Sequence, residues 1–249
     1  MPADGNPPQI AGVDGCRNGW IAVTAEPETL AKAQAKIFKC FAELISQLSP
    51  QMLIAIDIPI GLPERAIGGG REPDWVARAF LGPRRVSLFP VPSRGVVDAY
   101  EQGYETVCKI AEDTSDPPKR PSRQVFDIFP RIREVDAILQ KNPALRACVF
   151  EVHPEVSFKV MNFKVMNNYE PLPSKRFMPG MQLRRELLTK EGFLPSFLDQ
   201  SPPDGAGWDD FYDACACAWG ARRILYKEAR IFPSNPPIDG QGLEQAIRA

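Results

Sequence analysis

Ile10-Ala-Gly-Val-Asp-Gly-Cys-Arg-Asn-Gly-Trp-Ile-Ala-Val-Thr24 reads as two short strands folded back on each other. An apolar run carries one acid, Asp14, into a Gly-rich turn, and a second apolar run begins at Trp20. Strands are expected over about residues 9–14 and 19–25, antiparallel neighbours because the turn between them, Gly15–Asn18, is so short. An acid at a strand end between Gly12 and Gly15 has two readings. The glycines let the backbone bend and leave room for a group to approach the carboxylate. Alternatively, Asp14 simply opens the turn, as Asp and Gly often do. Acids arriving at matching places elsewhere in the chain decide between them.

Outward from this hairpin, residues 33–41 suggest a third strand, with Ala33, Ala35, Ile37 and Lys39 in one phase, and a helix over 28–37 as the competitor. Phe41, Leu44, Ile45 and Leu48 have helical spacing and stop before Pro50. The unbroken apolar run Met52–Ile56 is the pattern of a central strand covered on both faces. Three antiparallel strands, a helix and a buried strand predict a mixed sheet flanked by helices. Residues 64–147 interrupt this order with helical stretches at 73–81, 98–112 and 129–140 and Pro-rich loops at 87–94 and 116–123. They are read as a helical insertion or lid within one domain spanning 1–249, because core strands precede and follow them. A fifth strand is expected over 147–153, then helices at 155–166, 181–191 and 209–227, and a weakly helical tail. Residues 1–8 are expected to fray.

Bulk composition narrows the function classes. At 249 residues the chain can bury most of its unfolded surface without a disulfide or metal staple. A net charge of −1 provides no global basic field, so any nucleic-acid contact must come from local basic patches. Six cysteines without a C-x-x-C pattern and a single histidine argue against zinc and against a disulfide framework. There is no signal-peptide pattern, polybasic run or long apolar stretch, so no membrane partner and a cytoplasmic location are expected. Proline, at 26 residues, is about double the ~5% average and predicts many stiff loops.

Further acids do arrive at matching places. Asp57 ends the buried strand, at the sheet edge where open α/β sheets hold ligands. A carboxylate there needs a base, backbone donors or a cation; capping a loop through backbone N–H groups is the structural alternative. Asp209-Asp-Phe-Tyr-Asp213 opens the last long helix, and Asp210 and Asp213 are spaced to share a face. One helix needs one N-cap, which accounts for one of these acids but not the set. The following Ala214-Cys-Ala-Cys-Ala218 is small enough for the helix to lie close on the sheet. Glu151 and His153 share a phase in the fifth strand, beside Glu155; His153 is either a general base or a structural side chain. Arg78, Arg84, Arg85 and Arg94 surround one Pro-rich loop, and Lys119, Arg120, Arg123, Arg131 and Arg133 follow the other. Each group alone is a solvated face. On a lid beside acids they would hold phosphates, with Ser122 and Gln124 assisting.

The segments GVDGCRNGW, AIDIPIGLP, LGPRRVSLFPVPSR, DIFPRIREVDAIL, VFEVHPEVSF and DDFYDACACAW, in that order, resemble the domain-of-unknown-function 429 family of predicted RNase H-like nucleases. The resemblance spans nearly the whole chain. It implies an RNase H-like α/β fold, a five-stranded mixed sheet of order 3-2-1-4-5 with helices on both faces and a helical insertion between strands 4 and 5. It also implies a catalytic and metal-binding set of Asp14, Asp57, Asp210 and Asp213; Glu151, read from its own place in the fifth strand, is a further catalytic candidate that would add a ligand or orient a water. Nucleic acid would be the partner, and Arg84, Arg85, Arg94, Arg123 and His153 candidates for its phosphates. A two-metal mechanism with magnesium or manganese suits such carboxylates, because these ions prefer oxygen ligands and keep several waters. Where family members commonly carry a Ser-Lys-Lys-Thr-like segment, this chain has Ser174-Lys-Arg-Phe-Met-Pro179, so Lys175 and Arg176 receive no role. A phosphate-binding relative of actin and the sugar kinases is the runner-up, although those proteins need two copies of the core. A non-catalytic binding module is the third class; its acids need not point at one locus.

Overall fold

The computed structural model describes residues 9–167 and 170–249; the terminus expected to fray lies outside them. The chain divides into two compact units: one takes the residues through Asp57, Cys148–Ala229 and Arg248–Ala249, the other Ile58–Ala147 and Arg230–Ile247.

The first unit contains β1 (Ile10–Cys16), β2 (Gly19–Ala25), β3 (Gln34–Phe38), α1 (Phe41–Gln47) and β4 (Leu53–Ile56). In the second unit follow β5 (Ala66–Ile67), α2 (Glu72–Leu81), α3 (Arg94–Asp98), α4 (Tyr104–Thr114), β6 (Ser115–Asp116), α5 (Arg123–Phe126), α6 (Phe129–Lys141) and α7 (Pro143–Arg146). The chain then returns to the first unit through β7 (Val149–Glu151), α8 (Pro154–Met166), α9 (Met178–Lys190), α10 (Pro195–Leu198) and α11 (Trp208–Leu225). It ends in two short strands, β8 (Ile231–Phe232) and β9 (Ile247–Arg248).

The sheet of the first unit has the order β3-β2-β1-β4-β7. Since β7 is its fifth strand in chain order, this is the expected 3-2-1-4-5 arrangement. β1 runs antiparallel to β2 and parallel to β4, and β4 runs parallel to β7. The apolar runs explain these places: β1 and β4 are buried almost throughout and occupy the middle, whereas β3 alternates exposed and half-buried residues and takes the edge.

α11 lies across the central strands, and Gly12 shows why its small residues matter. A Cβ built on Gly12 would stand 1.9 Å from the Ala218 amide nitrogen and 2.2 Å from the Ala214 carbonyl oxygen. The helix backbone therefore rests directly on β1. Glu191, just past α9, fixes the other end. Its Oε2 accepts from Lys164 Nζ at 2.9 Å, Trp219 Nε1 at 2.8 Å and Arg222 Nη2 at 2.7 Å. Burial opposes ionisation of Glu191, but these donors hold its pKa below the ordinary carboxylate value.

Several elements differ from expectation. The helix expected at 98–112 is two helices, because Gly103 takes φ +85° and breaks the chain between a 3-10 turn and α4. The strand expected at 147–153 stops at Glu151; Val152 makes a single bridge to Arg248, and His153 is the N-cap of α8. The tail has no helix; residues 231–232 and 247–248 are extended. No helix among the described residues is long and apolar enough to cross a membrane.

Candidate metal centre

β1 and β4 pair in parallel with Val13 opposite Ile56, and the amide of Asp57 donates to the Val13 carbonyl at 2.9 Å. One further step along both strands sets Asp57 beside Asp14. The close approach of α11 brings Asp213 to the same place. One carboxylate oxygen from each of Asp14, Asp57 and Asp213 lies within 4.8 Å of the others. Asp14 is 9% exposed and Asp213 4%. Asp14 Oδ1 accepts from the amide of Gly15 at 2.7 Å. Asp213 Oδ2 accepts from Lys175 Nζ, whereas Asp213 Oδ1 is buried without a hydrogen-bond partner among the described residues.

Electrostatics follow from this crowding. Burial, then the charges of Asp57 and Asp213, raise the pKa of Asp14 well above the ordinary value. Burial lifts Asp57 to about 7, with Glu151 and Glu155 adding repulsion against the relief given by Lys175. Burial likewise lifts Asp213 to about 6, with Lys175 again opposing. Burial works against the Lys175 ammonium too, but Asp213 and Asp14 more than offset it and its pKa is raised. When all three acids ionise, one lysine leaves two negative charges uncompensated. A hard dication would suit that remainder: the donors are all carboxylate oxygens, the ligands that magnesium and manganese prefer. The unpartnered Asp213 Oδ1 fits the same occupant.

Not every expected residue joins this trio. Asp210 turns back to accept from the Gly207 amide at 2.9 Å, a cap at the start of α11. Of two acids three apart, one closes the helix end and the inner one reaches the sheet. Glu151 is opposite Ile56 in the β4–β7 ladder, one position short of Asp57, and stays outside the trio. His153 gives its carbonyl to the amides of Val156 and Ser157 at 3.0 Å.

The basic candidates belong to the second unit. Arg94 donates to Asp136 Oδ2 at 2.7 Å and to Asp239 Oδ2 at 2.7 Å in a buried triad, so its guanidinium is committed to carboxylates. Arg123 stacks over Tyr104, 3.7 Å from the ring centre. Arg84 and Arg85 lie in the 3-10 turn Gly82–Ser87, where Arg85 is exposed.

Lys175 is the residue that spacing alone does not reveal. It precedes α9 in an irregular stretch, and its ammonium also lies 3.7 Å from Asp209 Oδ2. A single loop lysine carries no periodic signal, and only the fold shows what it faces.

Fold and site together define an α/β protein on a five-stranded mixed sheet, with a carboxylate trio where β1, β4 and α11 meet. The family model described as "Protein of unknown function (DUF429)" matches residues 12–238, and the chain belongs to that family. No curated protein and no solved structure matches the chain.

Proposed function

We propose that the chain is a metal-dependent hydrolase of phosphodiester bonds, acting on nucleic acid. One observation carries this reading: acids 43 and 156 positions apart in sequence, Asp14, Asp57 and Asp213, bring carboxylate oxygens within 4.8 Å of each other. A structural cap requires no such convergence, and like charges held together cost free energy unless a cation relieves them.

Asp14, Asp57 and Asp213 would hold magnesium or manganese. When bound, such an ion polarises a phosphoryl oxygen and favours formation of a hydroxide nucleophile near neutral pH. Asp213 offers Oδ1 because Lys175 occupies Oδ2, which fixes the carboxylate's orientation. Lys175 also offsets part of the repulsion among the acids. Loss of solvent around Asp14 strengthens each of these interactions. The two-ion form of the reading draws on Asp210 and Glu151, which stand outside the trio.

Cleavage of a panel of single-stranded, duplex, hybrid and branched nucleic acids is the test. Activity should require magnesium or manganese, stop with EDTA, and fall by at least about a hundredfold in Asp57→Asn. Equal cleavage by wild type and variant would remove the trio from catalysis.

A non-catalytic reading has one observation in its favour, the cation that Lys175 already brings to Asp213. Under it, calorimetric titration with magnesium gives no heat, and no substrate of the panel is cut.

A further inference from the structure

A cavity of about 300 Å³ lies within the unit formed by Ile58–Ala147 and Arg230–Ile247. The two Pro-rich loops that stand out in the sequence wall it, with Pro90 and Pro92 on one side and Pro121 on the other. Ala66 of β5, Ser115 of β6 and Ala111 of α4 complete its lining. Most of the surface is apolar, with Phe89, Val91, Val96 and Val125 among the contributors.

The walls are held in place from behind. Asp74 Oδ2 accepts from the amide of Val91 at 2.8 Å and from that of Arg71 at 2.9 Å, while Asp74 Oδ1 pairs with the buried Arg71 guanidinium at 2.8 Å. Across the cavity, the Lys119 amide donates to Ser115 Oγ at 2.8 Å, and that hydroxyl donates to the Ala111 carbonyl at 2.6 Å. Ser93 and Thr114 bond each other at 2.7 Å. These hydroxyls are spent on the protein itself.

What remains for an occupant is cationic. Arg78, Lys119 and Arg120 line the cavity, and among the described residues no Asp or Glu does, in a chain with 30 basic and 31 acidic residues. Arg120 shares its guanidinium with Glu112 at 2.8 Å. Arg78 gives one N–H to the Leu88 carbonyl and, like the Lys119 ammonium, has no carboxylate partner among the described residues. Arg78 comes from α2, and Lys119 and Arg120 come from the loop after β6. An apolar, preformed cavity with convergent charge of one sign is the build of a small-ligand site. Its volume sits at the low end of the usual ~300–1,000 Å³ and admits one compact ring system.

We propose that this cavity binds a small amphiphilic anion: a compact apolar body, planar or branched, carrying one phosphate, sulfonate or carboxylate group. The body fills the valine- and proline-lined interior, and the acidic group is held by Arg78 and Lys119. The lining of the cavity shares no residue with the carboxylate trio.

Two fluorescent probes of nearly the same shape test it on the full chain: naphthalene-1-sulfonate and its uncharged counterpart naphthalene-1-sulfonamide. The sulfonate should bind one saturable site about tenfold more tightly than the neutral probe, the size of one charge-assisted hydrogen bond. Lys119→Met and Arg78→Met should each weaken the sulfonate several-fold and leave the neutral probe unchanged. Lys119 is exposed, so its variant folds whatever Arg78→Met does. Absence of saturable sulfonate binding, or the same sulfonate affinity in wild type and Lys119→Met, overturns the proposal.

Discussion

At the scale of single residues, the apo protein carries a pH signature that needs no knowledge of substrate. Burial raises Asp57 from 3.8 to about 7 and Asp213 from 3.8 to about 6. A raised carboxylate pKa means that the folded state binds more protons than the unfolded one, so stability falls as pH rises between the two values. In EDTA the melting temperature of wild type should therefore drop between pH 4 and pH 7 and level off above. Asp57→Asn removes one ionisable group from the crowd. It should melt above wild type at pH 8 by an amount on the order of 1 kcal/mol, about one unit of relieved shift, with no advantage at pH 4. Magnesium at a hundred times its dissociation constant should stabilise wild type by about 2.7 kcal/mol, a gain that the variant loses. A variant less stable than wild type in EDTA at pH 8 would make Asp57 a structural cap. Lys175→Met works in the opposite direction. It strips the Lys175 ammonium bonded to Asp213 and should cost about 1–2 kcal/mol at pH 8, a modest figure because the lysine is a third exposed. At pH 4, where the acids are protonated, the cost should shrink, and melts at the two pH values check this.

At the scale of elements, the site depends on how closely α11 approaches β1. Asp213 reaches Asp14 because Ala214 and Ala218 place helix backbone on Gly12. Gly12→Ala would push a methyl group into that backbone, and neither side has a flexible chain to move. A loss of about 3 kcal/mol is expected, the upper range for overpacking, together with weaker magnesium binding as Asp213 is displaced. Gly95 in α3 meets nothing within 4 Å of a built Cβ, so Gly95→Ala should be neutral or stabilise by up to ~1 kcal/mol. Denaturant unfolding of the pair separates steric closeness from a general intolerance of substitution.

At the scale of the whole molecule, the second unit is assembled from sequence segments that only folding brings together. Arg94 of α3 joins Asp136 of α6, 42 residues on, and Asp239 of the tail, 145 residues on. Asp239 in turn accepts from the amides of Leu62, Gln241 and Leu243 at 2.8–2.9 Å. The tail is thus tied to both ends of the unit. Arg94→Met would leave two buried carboxylates without their cation and should cost about 3–5 kcal/mol, read as a lower midpoint in urea. Had Arg94 been a phosphate contact, its removal would leave stability nearly unchanged.

Much of this architecture is legible without coordinates, where the determinants are local. The unbroken apolar run of Met52–Ile56 marks a strand buried on both faces, and β4 is central. The short turn after Asp14 requires β1 and β2 to be antiparallel neighbours, and the small residues after Asp213 fit a helix lying on the sheet. The acids themselves could be picked out by their positions at a strand end and a helix start. Which of them meet could not. Asp210 and Asp213 have the same chemistry and adjacent turns, and only the docked orientation of α11 turns one to the Gly207 cap and the other to Asp14. Lys175 and the partners of Arg94 were equally hidden. An ion pair across tens or hundreds of residues depends on where distant backbones come to rest, whereas strand and helix patterns depend on neighbours a few positions away.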